Sequence, residues 1–269
     1  MKWAAGVAGA ALLLGGCDDG TGPGGTGRAT LSFTLAQPQA AATGSFAALR
    51  VPIADGSGRV VDVQRVQVVL EEAQLKRLNH DECEDDDDCE YFSVGYQLID
   101  LPLQGGVITP FSMPILPDTY EELEIEIDDP EDDEEAADFR AAHPGWPRDA
   151  SIRIVGTFDA NDGNGPQAFD VFLDIDAEIE KDLVPPLVVD DSTDPASVNV
   201  TLSIDLAQWF MSGGAVIDPR ALTADDSELD RFEERIEQSI EAFGDDDRDG
   251  DHDDDDDDHD DDDDSSDDD

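Results

Sequence analysis

Leu123, Ile125 and Ile127 alternate with Glu122, Glu124, Glu126 and Asp128. A period of two is that of a strand with one buried face, and an amphipathic helix cannot produce it. This stretch commits the chain to a sheet with its aliphatic side on a core and its carboxylates in water. A row of like charges on one strand face is unfavourable unless cations or basic cross-strand residues stand against it. The same period returns at Leu31, Phe33 and Leu35, and again at Val198, Val200, Leu202 and Ile204. Val61 and Val63 share one face, and Val66, Val68 and Leu70 continue after a change of phase at Gln64-Arg65, as a β-bulge produces. Ala73 and Leu75 extend that strand, although Glu71 to Leu78 also has the composition of a helix.

Further strands are expected at Tyr91 to Leu103, Val107 to Phe111, Ser151 to Phe158 and Ala168 to Ile175. Gly105-Gly106, the Pro114 to Tyr120 segment and the Asp159 to Gly165 segment read as turns. Asp128 to Arg148 reads as a loop, and Leu206 to Met211 as a short helix. Leu229, Phe232, Ile236, Ile240 and Phe243 recur at helical spacing, so one helix is expected from Ser227 to Phe243, stopped by Gly244. Roughly nine short strands separated by turns point to a mainly β fold, a single antiparallel β-sandwich over residues 29–244 with a C-terminal helix.

Met1-Lys2 and the apolar run from Trp3 to Leu14 read as a secretory signal, too short to cross a bilayer as a helix. The ending Leu14-Gly15-Gly16-Cys17 resembles the lipobox of bacterial lipoproteins. The resemblance implies a signal peptide over 1–16, lipidation of Cys17 and a cell-envelope location, periplasmic or at the cell surface. Residues 17–28 are Gly-rich and form a flexible tether. Cys83 and Cys89 enclose five acidic residues; in an exported chain they read as a disulfide, with a zinc site as the rival.

The segment Val63 to Ile127 resembles a family of uncharacterised bacterial lipoprotein domains with an immunoglobulin-like or transthyretin-like sandwich. The motifs are the Val-rich strand Val63 to Leu70, Leu98-Ile99-Asp100-Leu101, Gly105-Gly106, and Pro117-Asp118-Thr119-Tyr120 before the alternating strand. The likeness implies fold and location and no activity.

The formal charge is −54. A body this acidic excludes nucleic acid, whose phosphates need a basic surface, and leaves membrane attachment to the lipid. Residues 245–269 hold nineteen aspartates and one arginine and read as a disordered tail. Asp245, Asp247 and Asp249 before Gly250 have the spacing of a D-x-D-x-D-G calcium loop, in which alternate carboxylates turn towards one ion. Three readings stand for this tract: an EF-hand, loose binding of divalent ions by the polyanion with Asp251 among the ligands, and a solvated acidic tail. Asp159, Asn161 and Asp162 are a second candidate calcium turn, although such turns form without an ion. Trp146 is the candidate platform for a glycan or an envelope protein. No H-E-x-x-H or G-x-S-x-G motif is present, so a hydrolase is the weakest reading. The expected protein is a noncatalytic, lipid-anchored binding protein that requires no cofactor and engages divalent cations such as calcium.

Overall fold

The structure is a computed structural model that describes residues 27–36, 51–78, 90–91, 95–130, 136–189, 198–223 and 226–251. Cys17, Cys83, Cys89 and residues 252–269 lie outside them.

β1 (Gly27–Leu35) sits between β7 (Ile108–Ile115), which it pairs antiparallel, and β12 (Asn199–Ile204), which it pairs parallel. β15 (Ile240–Gly244) completes this sheet beyond β12. Leu31, Phe33, Leu35, Val200, Leu202 and Ile204 turn inward and are buried. A second sheet runs β10 (Gln167–Leu173), β9 (Ile152–Asp159), β3 (Val60–Leu70) and β2 (Val51–Ala54), with β6 (Gln97–Asp100) also on β3. A third runs β11 (Ala177–Val189), β8 (Asp118–Ile127), β4 (Glu72–Arg77) and β5 (Glu90–Tyr91). One hydrophobic core joins all three. β13 (Met211–Ser212) and β14 (Ala215–Val216) pair with each other as a small separate hairpin. The fold is mainly β, a sandwich of several antiparallel pairings with few helices, as the alternation implies; the parallel β1–β12 pair is the exception.

The bulge lies where the phase of β3 changes. Its register against β9 shifts between Val63 and Arg65. Gly156 faces the bulge, and a Cβ there would stand 2.3 Å from the Asp62 carbonyl oxygen and 2.8 Å from the Phe169 ring. Only glycine fits this approach. β4 is a strand, which decides the strand-or-helix ambiguity after Leu70. The chain crosses between sheets at Glu71, whose N–H donates to the Glu126 carbonyl at 2.9 Å.

Four boundaries differ from the sequence reading. β7 continues through Pro114 and Ile115 and β8 starts at Asp118, so the turn between them is only Leu116-Pro117. The loop after Asp128 contains α1 (Ala137–Ala142), whose Phe139 is buried with Val69, Tyr96 and Ala136. β11 went unread because glutamates, Lys181, Asp182 and two prolines interrupt its apolar residues; the alternation Ala177, Ile179, Leu183 is still there, and all three are buried. The final helix, α3 (Asp226–Gln238), ends before Ile240. Ile236, Ile240 and Phe243 keep helical spacing, but the free edge of β12 takes Ile240–Gly244 as a strand. Ser239 marks the change: its hydroxyl donates to the Ile236 carbonyl and accepts the Trp209 indole N–H, both at 2.7 Å. Trp209, on α2 (Leu206–Phe210), is core, edge-on to Phe232 at 5.9 Å. Burying such a side chain stabilises the fold by about 1.5–3 kcal/mol.

Candidate cation site

The chain stays ordered beyond Gly244, contrary to a tail that is disordered from residue 245. Asp245 is fully buried. Its N–H donates to the Asn199 carbonyl at 3.1 Å, one step past the β12–β15 ladder. Its Oδ1 accepts the Asp249 N–H at 3.0 Å; its Oδ2 accepts the Thr201 hydroxyl at 2.6 Å and the Gly250 N–H at 3.2 Å. Asp247 and Asp249 are exposed, and ligand atoms of Asp245, Asp247 and Asp249 lie within 4.8 Å of one another. Gly250 has φ +90°, the left-handed bend that a D-x-D-x-D-G loop asks of its glycine. The incoming element is strand β15 and no helix enters the loop, so this is not an EF-hand. Asp251 does not join the group; its N–H donates to Asp249 Oδ1 at 2.8 Å.

A directed polar network holds Asp245. Thr30 and Ser32 both donate to Asn199 Oδ1, at 2.6 and 2.7 Å. This fixes the amide so that Nδ2 donates to Thr201 Oγ1 at 3.0 Å and to the Asp245 carbonyl at 2.8 Å. The Thr201 hydroxyl is then left to donate to the Asp245 carboxylate. Burial pushes the Asp245 carboxyl above the usual range; the Thr201, Asp249 and Gly250 donors pull the other way, and the Asp247 carboxyl adds to the upward push. A partly dehydrated carboxylate with two more beside it is a place where a divalent cation is electrostatically favoured.

The glutamates of β8 form a second acidic surface. Register sets Glu72, Glu126 and Glu178 in one row, Gln74, Glu124 and Glu180 in the next, and Lys76, Glu122 and Asp182 in a third. Lys76 supplies the expected basic partner. It bonds Glu122 at 3.0 Å, Glu180 at 3.2 Å and Glu124. Burial opposes its charge, but these bonds prevail and hold its pKa above the ordinary lysine value. At the other end Glu71, Glu126 and Asp128 converge, and no basic side chain among the described residues pairs with them. Burial, together with Glu126 and Asp128, pushes Glu71 up to about 7, against the Tyr96 hydroxyl that donates to its Oε1 at 2.8 Å. Burial and then Asp128 push Glu126 up as well. Sequence reasoning saw the β8 row and missed Glu71, because nothing local says which strand lies beside β8.

The other candidates do not converge on an ion. In the 159–165 turn, Asp159 Oδ1 accepts the Asn161 N–H, and Asn161 Nδ2 donates to the Ser57 carbonyl at 2.8 Å, pinning two hairpins together. Asp162 accepts the backbone and side-chain N–H groups of Asn164, which hold its carboxyl below the ordinary range. The turn is closed by its own donors. Trp146 is half-buried, edge-on to Phe172 at 5.4 Å and to Phe139 at 6.5 Å, and its indole N–H donates to the Ala150 carbonyl. It anchors the loop after α1.

No protein-family model matches the chain. No curated protein matches it. A solved structure that does match is MbnP from Methylosinus trichosporium, at 13% identity and a TM-score of 0.37, over 82% of this chain and 99% of that one. A likeness so loose assigns neither fold nor ligand.

Proposed function

We propose that the chain is an exported, lipid-anchored, noncatalytic envelope protein that binds divalent cations, calcium foremost, at Asp245, Asp247 and Asp249. The observation that carries this reading is the convergence of three carboxylates, those of the buried Asp245 and of Asp247 and Asp249, with Gly250 at φ +90° in the D-x-D-x-D-G position. Calcium takes six to eight oxygens and prefers carboxylates, backbone carbonyls and water. Here the carboxylates come first, and water and carbonyls complete the shell. Binding relieves the repulsion that the loop otherwise carries. The acidic tract beyond Asp251 adds weak, nonspecific sites that salt screens.

Export supports the choice of ion, since the extracytoplasmic side supplies divalent cations. It rests on the lipobox likeness at Leu14 to Cys17. Intact-mass spectrometry of the protein from its native membrane is expected to find a chain that begins at an acylated Cys17. An intact Met1 defeats the anchoring half of the reading. Calorimetric titration in high monovalent salt is expected to leave one saturable calcium site, and a purely screenable signal defeats the cation half.

A further inference from the structure

Asp245 to Gly250 do more than hold carboxylates. Ser32, Asn199 and Thr201 alternate with inward residues, so they face away from the core, yet all three have zero exposure. Asn199 and Thr201 are covered from the end of β15, through their bonds to Asp245, and Ser32 is bonded to Asn199 and to Thr109 of β7. β15 runs antiparallel to β12, with Ile240 opposite Ile204 and Gly244 opposite Val200. β12 is parallel to β1, so Gly244 stands at the level of Leu31, in the middle of β1, and Asp245, bonded to Asn199, stands at the level of Thr30, three residues from Gly27 where residues 1–26 join. From there the chain turns back. Arg248 Nη2 donates to Thr30 Oγ1 at 3.1 Å. Gly250 then packs on β1 and the start of β7: a Cβ there would stand 3.0 Å from Val107 Cγ2 and 3.3 Å from Thr34 Oγ1. At about 3.3 Å per strand residue, Thr34 lies about 23 Å along β1 from Gly27.

We propose that Asp245 to Gly250 form a strap that carries the chain back across the outer face of this sheet and releases the acidic tail at the end of the sandwich opposite the N-terminal tether. The strap stands on the hydrogen bonds and packing just given. Its consequence in the cell rests on the lipid anchor proposed above: the polyaspartate tract leaves the body at the end opposite the anchored tether. Without the strap, the tail would start at the level of Thr30, about 10 Å along β1 from Gly27 and nearer to the anionic headgroups that repel it. The strap therefore moves the root of the tail about 13 Å further from the tether, from the level of Thr30 to that of Thr34. Its lock is Asp245, the same residue that anchors the candidate cation loop, so the root of the tail and the cation site form one structural unit.

The test uses the full lipidated chain in phosphatidylcholine vesicles containing a headgroup-nitroxide lipid. A fluorophore is placed at position 28 or at the exposed position 251 through a genetically encoded reactive residue. Strong quenching is expected at 28 and none at 251. Gly250→Val, which fills the contact with Thr34 and Val107 at a positive φ, is expected to raise quenching at 251 to more than half of that at 28. Equal quenching at both positions in the unsubstituted protein overturns the proposal, as does no change at 251 in the Gly250→Val protein. If position 28 is not quenched, the anchor reading has failed and the strap is judged by energy transfer between 28 and 251. Low transfer that rises in Gly250→Val supports the strap, and transfer equal in the two proteins overturns it. Circular dichroism of the Gly250→Val protein checks that the sheets survive.

Discussion

The hydroxyl of Thr201 donates to the buried carboxylate of Asp245 at 2.6 Å, and it does so because the Asn199 amide already occupies the acceptor side of that hydroxyl. One short polar ladder on the outer face of a sheet thus fixes the root of a very acidic tail.

Replacing Thr201 by Val removes the donor and keeps the volume. It leaves one buried oxygen of Asp245 with only the Gly250 N–H, and the cost expected for such a loss is about 1–3 kcal/mol. Thr201→Ser, which keeps the hydroxyl, is expected to lose less than half as much. Urea unfolding of the two variants measures both.

Lys76→Met removes the cation from Glu122, Glu124 and Glu180. The Lys76 side chain is 14% exposed and that of Glu180 is 56% exposed, so the pair with Glu180 is screened and adds little. Leaving the two more buried glutamates uncompensated is expected to cost about 1–3 kcal/mol, below the range for a fully buried pair. Millimolar calcium is expected to recover more of the melting temperature than sodium chloride of equal ionic strength. Equal recovery by both salts means that the lattice has no preference for divalent ions.

Glu71 gives the fold a pH dependence with a definite sign. Its folded pKa, about 7, lies above the unfolded value of 4.5. The folded state therefore holds the proton more tightly. The stability from the protonated group is fully present below about pH 4.5, falls as pH rises, and is gone above about 7. Glu71→Gln is expected to flatten this decline between pH 4.5 and 7 in thermal melts. An unchanged slope contradicts the assignment.

Trp146→Ala is expected to lower stability by about 2–3 kcal/mol, since the indole packs on Phe139 and Phe172 and bonds the Ala150 carbonyl. The same variant on a glycan array tests the platform reading: a native signal lost in the variant, with stability unchanged, would assign Trp146 to binding.

What the sequence disclosed follows from the range of each signal. Alternation is local, so β1, β3, β8 and β12 were legible from their own residues, as was the bulge near Gln64-Arg65. β11 was hidden because charges and prolines break its run, and its inward residues make sense only beside β8. Ile240 to Phe243 read as helix because spacing alone cannot register the free edge of β12. The D-x-D-x-D-G spacing pointed to Asp245, Asp247 and Asp249, whose ligand atoms the fold brings within 4.8 Å of one another. It could not show that Asp245 is buried, because the groups that bond it there, Asn199 and Thr201, lie far away in sequence on β12. The convergence of Glu71 on Glu126 and Asp128 was out of reach for the same reason.

The most direct test of the cation site compares the full chain with its Asp247→Asn/Asp249→Asn variant in calcium titrations followed by melting temperature at fixed high ionic strength. The two substitutions leave Asp245 and its network intact and remove two charges from the loop. The proposed site predicts a saturable upward shift in the native protein that is absent from the variant. The same shift in both proteins would contradict it.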